Sequence, residues 1–347
     1  MTKNTIHHFT NDYSEGCHPL ILEALTNSNM EQLAGYGDDT HSATAADLIK
    51  NKIGNPNAQI YFIGGGTQAN LVILASILKP FESIISAESG HINTHEAGAI
   101  EATGHKIEYI ASDNGKLTPD IILPLLNKFP EYHTVKPRVV YISNSTEIGT
   151  IYSKDELTRL YTFCKDNSLL LFMDGARIAS ALTAASNDLT LADIASLTDV
   201  FYIGGTKCGA LLGEAIVFPN TEIGHDFRYH LKQRGAMLAK GRVLGIQFEQ
   251  LLKDDLFLSL ARHANKMAQK MNQAIKELGY SFLTESETNQ IFPILPNTLI
   301  DQLKLKYEFI IWQSVNPNES AIRLVTSWAT PEKAIDIFIK DLYKTAQ

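Results

Sequence analysis

At 347 residues the chain is long enough for two domains, or for one large domain with an appendage. Its 44% hydrophobic and 20% charged content is an ordinary globular balance, and a net charge of -8 without a basic block argues against nucleic-acid binding. Three cysteines in no metal-type spacing (Cys17, Cys164, Cys208) argue against a disulfide framework and fit a reducing compartment.

No run approaches the roughly 20 apolar residues of a membrane span, so no membrane association is expected. Met1 to Asp12 is polar and lacks the apolar core of a signal peptide, so the expected location is the cytoplasm. Residues 1–18 read as an extended arm. Pro19 opens a helix to about Asn27, Gly35 to Asp39 form a turn, and a helix follows from His41 to Lys52. Ala58 to Ile63 reads as a strand. Gly64, Gly65, Gly66 and Thr67 follow at once, then a helix from Gln68 to Leu78. Strand, glycine loop and helix together make a phosphate-binding arrangement, because the free N–H groups at a helix start attract an anion. The alternative is a plain tight turn, and neither a Walker loop nor a full dinucleotide fingerprint is present.

A strand at Ile84 to Ser86 leads through Glu88 to Ala99 into a helix carrying His91 and His95. Four residues apart, this pair has the spacing of metal ligands, but no third ligand stands out. The better reading makes one a flat ring near a site and the other a packing or capping residue. Further strands are expected at His105 to Ile110 and Arg138 to Ile142, with a helix from Thr118–Pro119 between them. Ser153 and Glu156 form a capping box for a helix to Asp166.

Leu169 to Met173 and Val200 to Ile203 are short and apolar on both faces, as buried parallel strands are. Asp174 ends the first, and Lys207 follows the second after Gly204, Gly205 and Thr206. Ligands of open α/β sheets bind beyond the carboxyl ends of the strands. An acid and a lysine there suit pyridoxal 5'-phosphate (PLP), the lysine linking to the cofactor and the acid facing its ring nitrogen. A surface ion pair is the plainer alternative. Alternation of strands and helices predicts a mostly parallel central sheet between helix layers.

Gly213 to Phe218 is expected as a strand and Phe227 to Leu238 as a basic helix, leading to Lys240 and Arg242. That basic segment is either a solvated face or a site reaching across a subunit interface. A long amphipathic helix spans Leu256 to Leu278. Strands at Ser281 to Leu283, Gln290 to Leu295, Phe309 to Trp312 and Ala321 to Val325 follow, with helices at Asn297 to Leu305 and Pro331 to Lys344. The domains are therefore expected at 1–253, the arm and large domain, and 254–347, a small α/β domain. Arg323 lies in an apolar strand, so it is either paired internally or waiting for a ligand anion. A guanidinium binds a carboxylate through two parallel hydrogen bonds.

The order Gly66-Thr67-Gln68-Ala69-Asn70, His91 with Glu96, Asp174-Gly175-Ala176-Arg177, Lys207 and Arg323 closely resembles the threonine aldolase family. That family belongs to the fold-type-I PLP enzymes that include the aromatic amino-acid β-eliminating lyases. Asn11-Asp12, Gly16-x-His18-Pro19 and Tyr36-Gly37-Asp38-Asp39 fit its amino-terminal pattern, and the resemblance covers about residues 8 to 340. It implies roles for each residue. Lys207 would form the Schiff base, Asp174 would hold the pyridine nitrogen, and His91 would stack on the ring and help move a proton. Gly66, Thr67 and Gln68 would cradle the phosphate. Asn11, Arg177 and Arg323 would hold the substrate, with Arg177 also near the cofactor. It further implies a homo-oligomer, dimer or tetramer, with shared active sites.

There are departures. Glu147 stands about where well-known members carry a histidine beside the substrate hydroxyl, and Gly204-Gly205-Thr206-Lys207 replaces the usual Leu-Ser-Lys. Three readings follow: a low-specificity PLP aldolase acting on L-threonine, L-allo-threonine or phenylserine, a β-eliminating lyase of aromatic or sulfur amino acids, or a PLP-fold protein that binds without turnover. Retention of Lys207, Asp174, Arg177 and Arg323 together disfavours the third. No metal is expected.

Overall fold

A seven-stranded sheet organises the large domain, in the order 59–63, 214–218, 200–204, 170–174, 136–143, 82–87, 107–110. The computed structural model describes residues 7–128 and 132–346. Six strands run parallel, and Glu214–Phe218 alone runs antiparallel to both its neighbours. Side chains alternate across a strand, so Leu171, Met173, Phe201 and Ile203 enter one apolar core. Leu170, Phe172, Val200 and Tyr202 enter another on the opposite face. Both faces are covered, which is why these strands read as unbroken apolar runs.

Helix Thr40–Ile53 is capped by Asp39, whose side chain accepts from Ser42 N–H, and ends at Gly54 in the left-handed region. Lys154–Asp166 carries the full Ser153/Glu156 capping box. The expected basic helix from Phe227 stops at Gln233, and a second helix runs from Arg242 to Lys253. Gly235, at φ 67, lies in the left-handed conformation that a helix cannot continue through.

The long helix Leu256–Glu277 joins the domains: Phe257 and Leu260 pack in the large core, and Met267, Met271 and Ile275 in the core of the small one. The small sheet has the order 294–296, 319–325, 310–316, with Gln290–Ile291 also paired to 319–325. The strand expected at Ser281 to Leu283 is reduced to a single bridge, Phe282 to Pro293. The described part of the arm joins this domain: His7–His8 pairs with Tyr307–Glu308, and Phe9 is buried in its core. From His7 the described arm lies on the small domain and crosses to the large one near Asp12.

The basic segment has work within its own subunit. Arg228 makes a two-pronged bond to Asp38, Lys232 lies 4.1 Å over the Tyr36 ring, and Arg242 donates to the carbonyls of Glu31 and Asn29. Together they hold the 29–38 stretch against the large domain. Among the described residues no helix is long and apolar enough to cross a membrane, and no three His, Cys, Asp or Glu side chains converge on a metal position. The three cysteines are buried and unbridged.

Candidate active site

The parallel strands end on one rim, and a cavity of about 310 Å³ opens there. His91, Glu147, Asp174, Arg177, Lys207, Gly66 and Thr67 all line it, as do Tyr13, Ser143, Tyr202, Thr206 and Glu214. Residues from seven separate segments meet there: five end or follow a parallel strand of the sheet, Glu214 begins the antiparallel one, and Tyr13 comes from the arm. The register pairs Ser143 with Asp174, and Glu214 with both Ile63 and Gly204.

Asp174 is 4% exposed, and its carboxylate is fully engaged. Oδ2 accepts from Tyr141 Oη at 2.6 Å and Asn70 Nδ2 at 3.1 Å, and Oδ1 accepts from Ala176 N–H at 2.9 Å. Burial works against its ionisation. The His91 charge, the Tyr141 and Tyr202 hydroxyls and the Ala176 amide outweigh it and hold the carboxyl below its usual range. A permanent anion therefore sits at the floor of the cavity. Lys207 behaves oppositely. Burial, then the Arg177 charge, lower its proton affinity against the pull of Asp12, Asp174 and Glu214, which favours the uncharged amine that nucleophilic attack requires.

Helix Gly66–Ile77 begins beside them. Its N-cap is Gly65, which supplies no side-chain cap, and nothing lies within 4 Å of where a Gly65 Cβ would stand. The first amides, of Gly66, Thr67 and Gln68, precede the first intrahelical bond, made by Ala69 N–H to Gly65 O. Gln68 is not among the residues lining the cavity, and its side-chain Oε1 lies 3.4 Å from where a Gly64 Cβ would stand. An open, uncapped helix start, a fixed anion and a deprotonation-prone lysine form a donor set that fits PLP.

His91 is held from two sides. Its Nδ1 is 2.8 Å from Glu96 Oε1, and its backbone N–H donates to Glu147 Oε1 at 3.0 Å. Glu147 also accepts from Ser143 Oγ at 2.6 Å. Burial is the main cause that raises the Glu147 carboxyl above its usual range. The helix carrying His91 is a single turn, His91–Thr94. His95 stacks on His91 at 5.5 Å and lies parallel to Trp312 at 6.5 Å, so it is the packing member of the pair.

Two of the expected substrate contacts, Asn11 and Arg177, have partners within the chain. Asn11 turns its Oδ1 to its own loop, accepting from Tyr13 N–H and Ser14 Oγ. Such local turns are what short amide side chains form most readily. Tyr13 is the arm residue that lines the cavity, and Asp12, 1% exposed, lies behind it on Arg177. Asp12 binds Arg177 through two bonds, Nε to Oδ2 at 2.7 Å and Nη2 to Oδ1 at 3.0 Å, and also accepts from Asn289 Nδ2 at 2.9 Å. One edge of the Arg177 guanidinium is thus occupied from within. Arg323 has no acid partner among the described residues. Nη2 reaches Thr10 O at 3.2 Å, Nε is buried without a hydrogen bond, and the guanidinium lies 5.2 Å over Trp312. Burial and the neighbouring Arg177 lower its proton affinity, so the two cations lie close.

Asp12, Asn70, Tyr202 and Glu214 were not singled out in the sequence for these roles. Asn70 had a signal, being four residues beyond Gly66 on the same helix face. Glu214 had none, because it starts the one antiparallel strand, whose amino end lies on the rim.

A sequence model of the family described as Beta-eliminating lyase matches residues 12–297. A low specificity L-threonine aldolase of Pseudomonas aeruginosa is 32% identical, with 99% of this chain and 98% of that protein covered. A solved threonine aldolase of Leishmania major superposes with a TM-score of 0.97 at 47% identity, covering 98% of this chain and 100% of that one. A solved SPT with a PLP internal aldimine has a TM-score of 0.73 at 12% identity, covering 98% of this chain and 87% of that one, and shares the fold alone.

Proposed function

The chain belongs to the threonine aldolase family of the β-eliminating lyases, and on that premise we propose that it is a PLP-dependent aldolase cleaving L-threonine, L-allo-threonine or related β-hydroxy-α-amino acids to glycine and an aldehyde. The observation that carries the reading is Arg323, a strand guanidinium with no acid partner among the described residues, which feels the charge of Arg177, a residue lining the cavity with Lys207 and Asp174. Buried polar groups are rarely left unpartnered without a function. An amino-acid carboxylate supplies the missing partner in the geometry a guanidinium favours.

When bound, the cofactor supplies a sink for the electrons of the carbon–carbon bond that breaks. The Gly66, Thr67 and Gln68 amides would hold its phosphate, Asp174 its ring nitrogen, His91 its ring face and Lys207 its aldehyde carbon. Asp174 is suited to keep a proton on the nitrogen opposite it, because Tyr141, Asn70 and Ala176 fix the carboxylate and favour its ionised form. Arg323 and the remaining edge of Arg177 fix the substrate carboxylate, with Asp12 preventing Arg177 from turning away. Glu147 keeps the His91 backbone in place and, with its raised proton affinity, stands as the buried acid of the wall. Asn11 takes part through the turn that brings Asp12 and Tyr13 inward.

The same proposal includes a homo-oligomer, dimer or tetramer, in the cytoplasm. Its support is the exposure of Leu20, Leu22, Met30 and Leu211, apolar side chains that a neighbouring copy would cover. Light scattering of the active protein checks it. The deciding assay for the reaction is the PLP-loaded protein with a panel of β-hydroxy-α-amino acids. Glycine and aldehyde in equal amounts are expected. The matching 2-oxo acid and ammonia without glycine, 2-oxobutyrate from threonine, would move the assignment to β-elimination.

A further inference from the structure

We propose that Glu214 is the positioning residue for Lys207, its carboxyl clamping the peptide two residues before the lysine and setting an acid beside the amine. The inference rests on the functional reading above, in which Lys207 carries the cofactor and Glu214 has no role.

The clamp is geometric. Glu214 is 4% exposed, lines the cavity, and accepts from Gly205 N–H through Oε2 at 2.9 Å. Around it the 204–207 turn is tied to the 213–214 corner. Gly205 N–H and Thr206 N–H both reach Gly213 O, and Gly213 N–H donates to Thr206 Oγ1 at 2.9 Å. This closeness requires glycine in the turn. A Cβ on Gly204 would stand 2.5 Å from Ala176 O, and one on Gly205 would stand 2.8 Å from Gly213 O and 2.9 Å from Phe248 Cζ. With no side chains of their own, the two glycines leave the turn's conformation to outside bonds. The Glu214 carboxyl is the side-chain member of that set.

The acid is also electrically active. Burial is the main cause that pushes its carboxyl up to about 8, against the Thr206 hydrogen bond, the Lys207 charge and the Gly205 amide, with Asp174 pushing further upward. The charged and titratable groups facing Glu214 are Lys207, Asp174 and Tyr202. Those facing Lys207 also include Arg177 and Asp12. An acid pushed up beside an amine pushed down makes a pair whose protons come off in shared steps, owned by neither residue alone.

The test compares native protein, Glu214→Gln and Glu214→Ala, each loaded with PLP, by the pH dependence of the cofactor absorbance and by melting. Gln keeps the size and an acceptor oxygen but does not titrate. Native protein is expected to give a curve broader than one proton step. Glu214→Gln should narrow it to one step with the midpoint moved down by roughly half a pH unit or more, since an anion no longer stabilises the protonated linkage. Its melting temperature and cofactor retention should stay close to native, whereas Glu214→Ala should lose cofactor severalfold faster on dialysis. An unchanged curve in Glu214→Gln, or equal cofactor loss from Gln and Ala, overturns the proposal. Absence of a borohydride-trapped adduct on Lys207 in native protein would instead sink the functional reading, and this inference with it.

Discussion

Arg177, which lines the cavity, and Arg323, on the small domain, are held under opposite conditions. On the large-domain rim, Asp174, Glu147 and Arg177 reach the cavity with partners in place: Tyr141 and Asn70 for the first, Ser143 and the His91 amide for the second, Asp12 for the third. On the small-domain strand 319–325, Arg323 arrives with its Nε buried and unpartnered. Groups whose partners are supplied from within are set before any ligand binds, which is what electrostatic preorganisation requires. A group left open is an unfilled bond that a ligand completes. On the proposed function, the rim is set before a ligand arrives and Arg323 is the group that a substrate carboxylate would complete.

The most severe way to break this arrangement is at Lys207. Lys207→Ala is expected to remove covalent attachment of the cofactor and to lower turnover by roughly a thousandfold or more. Borohydride reduction followed by peptide mass mapping checks it, and a cofactor adduct on any other lysine would reject the assignment.

Next in size is the paired side of the comparison. Asp12→Asn leaves Arg177, 13% exposed, with a neutral partner. Breaking a buried pair in this way costs about 3 kcal/mol, so the melting temperature should fall by several degrees. Burial opposes Asp12 ionisation, but Arg177, Lys207 and Asn289 hold its carboxyl below the usual range. A depressed folded value means the stabilisation is present above the unfolded value of 3.8 and is lost as pH falls through the folded one. The gap between native and variant melting should therefore be full at neutral pH and close in acid. A gap independent of pH would remove the ion pair as its cause.

The open side is broken more gently. Arg323→Lys keeps the charge but loses the two-pronged geometry. Part of the roughly 2–5 kcal/mol associated with a buried charge contact should go, seen as about 10- to 100-fold in kcat/KM for amino acids with little change in melting. The reverse pattern, normal kinetics and lowered melting, would put Arg323 with the internally paired residues and erase the contrast between the two sides.

Much of the rim was legible because its markers end apolar runs: Asp174 closes Leu170–Asp174, and Lys207 follows Val200–Gly204 after Gly205 and Thr206. Apolar strands buried on both faces leave a polar residue at the end nowhere to go but the rim. What was not legible depends on contacts distant in sequence. Nothing local says that His7–His8 will pair with Tyr307–Glu308, or that beyond this pairing Asp12 rather than Asn11 will lie on Arg177. Glu214 looked like the start of an ordinary strand, since strand direction is decided by its neighbours. The basic residues from Arg228 to Arg242 left a solvated face or an interface open, because their partners, Asp38, Tyr36 and the Glu31 carbonyl, lie about 190 to 210 residues earlier.

The smallest effect expected lies away from the cavity, where the 29–38 stretch is held down. His41, in the first turn of helix Thr40–Ile53, has Nδ1 2.7 Å from Glu249 Oε2 and Nε2 3.2 Å from Glu31 Oε2. Carboxylates only accept, so both contacts are hydrogen bonds only when the ring carries both protons. A cation in the first turn of a helix is otherwise unfavourable, so the two acids decide its state. Burial lowers its proton affinity, and the Glu249 and Glu31 bonds more than reverse that, leaving it raised. A raised folded value means the contribution is full below the unfolded value of 6.5 and disappears as pH rises through the folded one. His41→Gln should therefore lower the melting temperature by a degree or two near pH 6 and by less near pH 8.5, with kcat/KM unchanged at both. Because this device is remote from Asp174 and Arg323, a change in kcat/KM would mean that the 29–38 stretch is coupled to the cavity. The paired rim would then extend much further than the residues that line it.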